Sequence, residues 1–267
     1  MDFGSLFTAL LMGIVEGLTE FLPISSTGHL ILLGELIGFE GPPGKTFEIS
    51  IQLGAILAVV VIYRRLILDL LLHMWRPGLQ RFYVVNLLLA FLPAAVIGAT
   101  LHGTITGLLF NPWVVCVALI LGGIAIIAIE RARPEPGIRS VPEIGPLAAV
   151  LIGCGQALAM IPGTSRSGAT IISALLIGVD RKTAAEFSFM LAIPTMFAAT
   201  AYSLYKARAD IDVSAFGQIG VGFAVAFVLA FLTVRTLLAV IGRIGFTPFG
   251  WYRIGLGLLM MAVLVLG

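Results

Sequence analysis

Residues 13–38, GIVEGLTEFLPISSTGHLILLGELIG, decide how the chain is read, because residues 153–178, GCGQALAMIPGTSRSGATIISALLIG, repeat them without a gap at an offset of 140. Gly13/Gly153, Leu18/Leu158, Ser25/Ser165, Gly28/Gly168, Ile31/Ile171, Leu36/Leu176, Ile37/Ile177 and Gly38/Gly178 are identical, 8 of 26 positions, where composition alone would give roughly two or three. Both stretches are apolar enough for a bilayer and both are interrupted. The first holds Glu16, Glu20, Pro23, Ser25, Ser26, Thr27 and His29; the second holds Gln156, Pro162, Gly163, Thr164, Ser165, Arg166, Ser167 and Thr170. Proline and glycine break helices, and irregular backbone at membrane depth is tolerated only inside protein or along a wet cavity. Each stretch is therefore expected to be a re-entrant helix–loop–helix hairpin.

Working outward, the chain is a membrane protein. Of 267 residues 11% are charged and 59% hydrophobic, with mean hydropathy +1.09. Soluble domains carry about 25% charge, so disorder, a nucleic-acid binder and an ordinary cytosolic domain are excluded. A net charge of +2 identifies no partner. Cys116 and Cys154 lack ligand spacing and read as small hydrophobes, and no basic segment at the N-terminus suggests a cleaved signal peptide. Six full spans are expected, at about 46–63, 83–101, 113–130, 186–205, 213–234 and 246–266. Glu48-x-Ser50 matches Glu186-x-Ser188 at an offset of 138.

The expected fold is thus an all-α polytopic membrane protein with an inverted-topology repeat, each half one re-entrant hairpin plus three transmembrane helices. It forms a single integral membrane domain over 1–267: repeat 1 at about 3–130, a cytoplasmic loop at 131–143, and repeat 2 at about 144–267. Three spans per half turn the second half upside down. Arg64, Arg65, Arg76 and Arg81 in a loop at 64–81, and Arg131, Arg133 and Arg139 in the loop 131–143, place both loops inside. Arg235 and Arg243 fall on the same side, and an uncharged turn at 102–111 and both termini fall outside. Lys206 and Arg208 oppose this pattern, with Asp210 and Asp212 beside them. Broken hairpins in an inverted repeat place a site where the tips meet.

The chemistry lies in those tips. Glu16 and Glu20, four apart, share a helix face, and each is expensive near a bilayer centre, about 2.5–3.5 kcal/mol by insertion scales. A divalent cation, an arginine or a proton must offset them, unless the pair sits at a helix end wetted by headgroup water. Ser26 and His29, three apart, can meet on one turn as nucleophile and base; alternatively the hydroxyls only cap a helix and His29 is an interior histidine. In the second tip, free backbone N–H groups at a helix start suit an anion, and Arg166 adds a planar donor fork. Thr27, Gly163, Thr164, Ser165, Ser167 and Thr170 complete the phosphate-binding set. The alternative for Arg166 is a salt bridge to Glu16 or Glu20. Glu48, Gln52 and Gln156, the last at the repeat position of Glu16, are candidates to line the cavity. His73 reads as a surface histidine and His102 as interfacial. An acid pair, a Ser/His pair and an anion cradle inside a membrane point to lipid phosphate, with hydrolysis ahead of transport.

Glu16-Gly-Leu-Thr-Glu20-Phe-Leu-Pro-Ile-Ser-Ser-Thr-Gly-His29, with Pro162-Gly-Thr-Ser-Arg-Ser-Gly-Ala-Thr170, resembles the undecaprenyl pyrophosphate phosphatase family, the bacitracin-resistance phosphatases. Lys45-Thr-Phe-Glu48-Ile-Ser-Ile-Gln-Leu-Gly54 and Glu186-Phe-Ser-Phe189 extend the resemblance along the chain. It implies hydrolysis of undecaprenyl diphosphate to undecaprenyl phosphate and inorganic phosphate in the bacterial cytoplasmic (inner) membrane. That reaction recycles the lipid carrier for cell-wall synthesis and gives bacitracin resistance. The family's divalent-cation dependence implies Mg2+ or Ca2+ on Glu16 and Glu20. The implied partners are the lipid diphosphate and membrane lipid, with no nucleic acid and a homodimer left open. Ser26 or a water would attack the terminal phosphorus, with His29 or a glutamate taking the proton. With three titratable groups in the first hairpin against one in the second, the pocket is expected to open to the outer, periplasmic side. A lipid-phosphate flippase or transporter is the rival function.

Overall fold

A computed structural model describes residues 3–39, 46–207 and 216–266, and among these the chain is helical throughout, apart from one isolated bridge between Ile138 and Val179. The first half comprises α1 (Phe3–Thr19), α2 (Ser26–Ile37), α3 (Thr46–Ile62), α4 (Arg64–His73), α5 (Leu79–Leu109) and α6 (Pro112–Ala132). The second comprises α7 (Pro146–Ala157), α8 (Arg166–Leu176), α9 (Arg181–Ala207), α10 (Phe216–Ile244) and α11 (Thr247–Leu266).

Both interrupted stretches are hairpins. At about 1.5 Å per residue, the 12 residues of α2 and of α7 and the 11 of α8 fall far short of a roughly 30 Å hydrocarbon core. The halves correspond helix for helix: α1–α2 with α7–α8, α3 with α9, α5 with α10, and α6 with α11. Only α4 has no counterpart. The halves also interleave. Helix α1 packs along α10 of the other half, and α7 packs along α5 of the first. The repeated glycines explain how. A Cβ on Gly13 would lie 2.6 Å from the Gly222 carbonyl oxygen, and one on Gly153 would overlap the Ala90 carbonyl. Helix backbones this close tolerate no side chain.

Five helices, α5, α6, α9, α10 and α11, are long and apolar enough to cross a membrane, where six full spans were expected. The sixth, α3, has 17 residues. It runs through the centre of the bundle, with Ile51, Ala55, Ile56, Ala58 and Val59 fully buried against α9 and α10, so protein and not lipid sets its length. The expected turn at 102–111 shrinks to Phe110 and Asn111, because α5 continues to Leu109. Gly103 and Gly107 cost a helix only about 1 kcal/mol each; the break is made by Asn111, whose side chain caps the Val114 N–H, and by Pro112 behind it. The loop at 64–81 contains α4, whose Leu68, Leu71 and Leu72 are exposed alongside Trp75, as in an interfacial helix. Helix α10 carries on through Arg235 and Arg243. Gly41, Lys45, Arg208, Asp210 and Asp212 lie outside the described residues, as does the His102 side chain. His73 is exposed and bonds to the Asp69 carbonyl.

Tyr63 just past α3, one face of α4, the N-terminal end of α5, residues 139–142 and the start of α9 gather at one end of the bundle, around a cavity of about 460 Å³. The basic loops therefore share one end. Above it lies a core of Phe21, Ala55, Val59, Phe187 and Phe189, all 0–1% exposed.

Candidate active site

The two hairpin tips meet in the interior. Each ends in a serine that caps the following helix: Ser25 accepts from the Gly28 N–H and Ser165 from the Gly168 N–H. Both have left-handed backbone, φ 71° and 72°, and among the described residues they are the only non-glycine residues that do. Such strain persists only where surrounding structure imposes it, and it clusters at functional sites. Here it turns the N-termini of α2 and α8 toward one cavity of about 180 Å³. Glu20, Ser26, Thr27, Gly163, Ser165 and Arg166 line it, with Gln52 of α3 and Thr195 of α9.

Within that wall three side chains act together. The Ser26 hydroxyl donates to Glu20 Oε2. Arg166 Nη2 lies 3.5 Å from Glu20 Oε1, and Nη1 donates to the Ser188 carbonyl at 3.2 Å. The guanidinium sits 5.7 Å from the Phe21 ring centroid, within cation–π range. Arg166 Nε has no partner among the described residues. The salt bridge left open by the sequence is thus made, to Glu20, and it leaves the fork with a free donor.

Glu16 lies one turn before Glu20 on α1, 1% exposed, and its Oε1 has no hydrogen-bond partner among the described residues. No cluster of three or more His, Cys, Asp or Glu occurs among the described residues. Two carboxylates with an unpartnered buried oxygen nevertheless suit a hard cation such as Mg2+, which takes one or two carboxylates and leaves positions for water and phosphate.

Other expected residues are placed differently. His29 does not pair with Ser26. Its Nδ1 lies 2.8 Å from the Ser25 carbonyl and its Nε2 2.7 Å from the Tyr252 hydroxyl, with the two rings parallel. One nitrogen is held by the helix's own preceding turn and the other by α11, so Ser26 takes the carboxylate across its own tip instead. Ser167, Thr170 and Thr164 are not in the cavity wall. Ser167 donates to the Leu22 carbonyl at 2.8 Å and stitches tip to tip; Thr170 bonds Ser188 Oγ at 2.6 Å; Thr164 offers its carbonyl to Arg253 at 2.8 Å. The Ser167 and Thr170 hydroxyls point into protein because successive positions of α8 face different ways. Gln156, 2% exposed, stands behind the wall and accepts from Thr195 at 3.3 Å. Glu48 is absent from the wall, and its Oε2 is buried without a partner among the described residues.

Tyr252, Arg253, Ser188 and Thr195 were missed in the sequence. Arg253 had a legible signal: it is a lone arginine inside the apolar stretch 246–266, and an ionisable residue in a span marks function by default.

The chain is 52% identical to undecaprenyl-diphosphatase 2 of Paramagnetospirillum magneticum over 97% of its length and 98% of the relative's. It is 51% identical to an undecaprenyl-diphosphatase of Methylococcus capsulatus over 95% and 93% of the two chains. It is 53% identical to an undecaprenyl-diphosphatase of Rhizorhabdus wittichii over 94% of each. Residues 9–259 match the family described as bacitracin resistance protein BacA, and with the two motif-bearing tips and nearly every helix inside that match, the chain belongs to this family.

Proposed function

We propose that the chain hydrolyses undecaprenyl diphosphate to undecaprenyl phosphate and inorganic phosphate in the bacterial cytoplasmic membrane, and so recycles the lipid carrier and confers bacitracin resistance. The relatives' activity supports this reading. The observation that carries it is the Ser26 hydroxyl held on the Glu20 carboxylate, with the Arg166 guanidinium beside them on one cavity wall.

The terminal phosphate enters between the helix N-termini of α2 and α8, whose free amides and dipoles favour an anion. Arg166 grips it, and Gly163 allows the backbone to approach. Ser26 Oγ attacks the terminal phosphorus as its proton passes to Glu20. The bond from phosphorus to the bridging oxygen breaks, and undecaprenyl phosphate leaves carrying that oxygen. Glu20 hands that proton to the departing undecaprenyl phosphate and then takes one from a water that attacks the phosphoserine; the Ser26–phosphorus bond breaks, Glu20 returns the proton to Ser26 Oγ, and inorganic phosphate departs. His29 holds the base of α2 through Ser25 and Tyr252 in place of moving a proton.

Glu16 and Glu20 are the residues to hold Mg2+ or Ca2+. Formal charges support this assignment: Glu16 and Glu20 already offset Arg166 and the nearby Arg253, so a bound diphosphate leaves an excess of negative charge. When bound, the cation supplies Lewis-acid neutralisation of phosphate oxygens.

The pocket opens to the periplasm. Gln52 of α3 in the cavity and Tyr63, the residue after α3, at the basic end are 11 residues apart, about 16 Å of helix, and the phenylalanine-rich core closes the space between. Positive loops mark the inner side, which leaves the other side for entry.

Phosphate release by the purified protein in detergent tests the function. Turnover of undecaprenyl diphosphate is expected; a lipid-phosphate flippase would release none.

A further inference from the structure

Arg253 of α11 is 0% exposed, and none of its hydrogen-bond partners is a carboxylate. Its five N–H bonds go to five main-chain carbonyls. Nε donates to Leu119 at 3.4 Å, Nη1 to Pro23 at 3.2 Å and Thr164 at 2.8 Å, and Nη2 to Ala118 at 3.0 Å and Gly163 at 2.9 Å. That uses every donor a guanidinium has. Pro23 belongs to the first tip, Gly163 and Thr164 to the second, and Ala118 and Leu119 to α6. One rigid fork therefore joins both tips to a spanning helix. The surrounding glycines are shaped to it: a Cβ on Gly122 would overlap Nη2, and one on Gly168 would come within 3.1 Å of Nη1.

A buried cation is a costly way to fill space, since apolar residues of similar volume do as well or better. Its geometry suggests what it does instead. In a trans peptide the carbonyl and the next N–H point in opposite directions. Holding the Thr164 carbonyl on Arg253 turns the Ser165 N–H away from Arg253. Ser165 lines the cavity, and no acceptor among the described residues takes its N–H. We infer that Arg253 is a positioning residue: it sets the Thr164–Ser165 peptide so that the Ser165 amide meets a phosphate oxygen as charge builds on it, and it locks the two tips in register. It touches no substrate itself. This rests on the phosphatase reading above.

Arg253→Lys and Gly122→Ala test it from two directions. Lysine keeps the charge but supplies three donors from one point; alanine at 122 keeps Arg253 but pushes its fork aside. For each, kcat and KM of phosphate release are measured per folded molecule, with folded amount taken from size-exclusion and thermal unfolding. Misplacing an anion-hole donor lowers kcat by about 100-fold or more. Both variants should lose at least about tenfold in kcat with KM within about threefold of the parent, because the amide engages charge that develops only in the transition state. Positioning is overturned if kcat per folded molecule stays within about threefold in either folded variant, or if the loss lies in KM alone. It is also overturned if neither variant folds, which would make Arg253 a structural clamp. If the parent protein itself releases no phosphate, the phosphatase reading fails and this inference falls with it, an outcome distinct from a variant-specific result.

Discussion

Arg166→Lys keeps a positive charge in the tip yet should remove most of the activity. Arg166 divides its fork in three: Nη1 on the Ser188 carbonyl at 3.2 Å, Nη2 toward Glu20 Oε1 at 3.5 Å, and a buried Nε with no partner among the described residues. Its flat guanidinium also rests near the Phe21 ring. An ammonium is a single point. If it pairs with Glu20 it cannot also hold Ser188 and present a second donor to phosphate. One charge-assisted hydrogen bond is worth about 1.5–3 kcal/mol, and about 1.36 kcal/mol is a factor of ten in rate. The loss of one such bond in the transition state therefore predicts a fall of roughly 10- to 160-fold in kcat/KM. Folding should suffer little, since Glu20 keeps a cation beside it. The assay is phosphate release from undecaprenyl diphosphate in detergent at saturating divalent cation, with thermal unfolding of the same samples. Turnover within about threefold of the parent, with folding intact, would refute a two-pronged contact between Arg166 and phosphate.

Chelation should abolish turnover, and Glu16→Gln should raise the cation concentration needed for half-maximal rate; indifference to chelators would remove the cation and leave Glu16 without a role. His29→Ala and Tyr252→Phe share one hydrogen bond of about 1 kcal/mol, so each should slow turnover by roughly fivefold and the double variant little more; a thousandfold loss in His29→Ala alone would make His29 the base after all. With Cys116 and Cys154 replaced, a cysteine at Gly41 should react with a membrane-impermeant thiol reagent on intact cells, and one at exposed Arg139 should not. The reverse pattern would invert the topology and the proposed periplasmic opening with it.

The hairpins were legible because the breaks that make them are local, and capping stood as the alternative reading of the first tip alone. Ser25 and Ser165 cap the N–H three residues on, Asn111 does the same before Pro112, and proline or glycine breaks a helix wherever it stands. The identical glycines were legible as matches of the repeat, but the backbones they let approach, at Gly222 and Ala90, were not. The extent of α5 was misread because an uncharged Gly-containing run is compatible with either a turn or a helix, and its hydrogen bonds decided between them. Period and spacing also put Ser26 within reach of His29, a pairing permitted by one helical turn but not selected by it.

Selection came from contacts between residues far apart in the chain. Glu20 meets Arg166 across 146 residues, His29 meets Tyr252 across 223, and Arg253 reaches back 230 residues to Pro23. No local pattern encodes such pairings, because each exists only after two inverted halves have interleaved and brought their tips together. The sequence by itself determined a membrane protein of repeated broken hairpins and the residue types of its candidate site. Only the tertiary structure decided which hydroxyl faces which carboxylate, and which arginine lines the cavity while the other holds it in shape, for a buried polar group must take whichever partner the packing delivers.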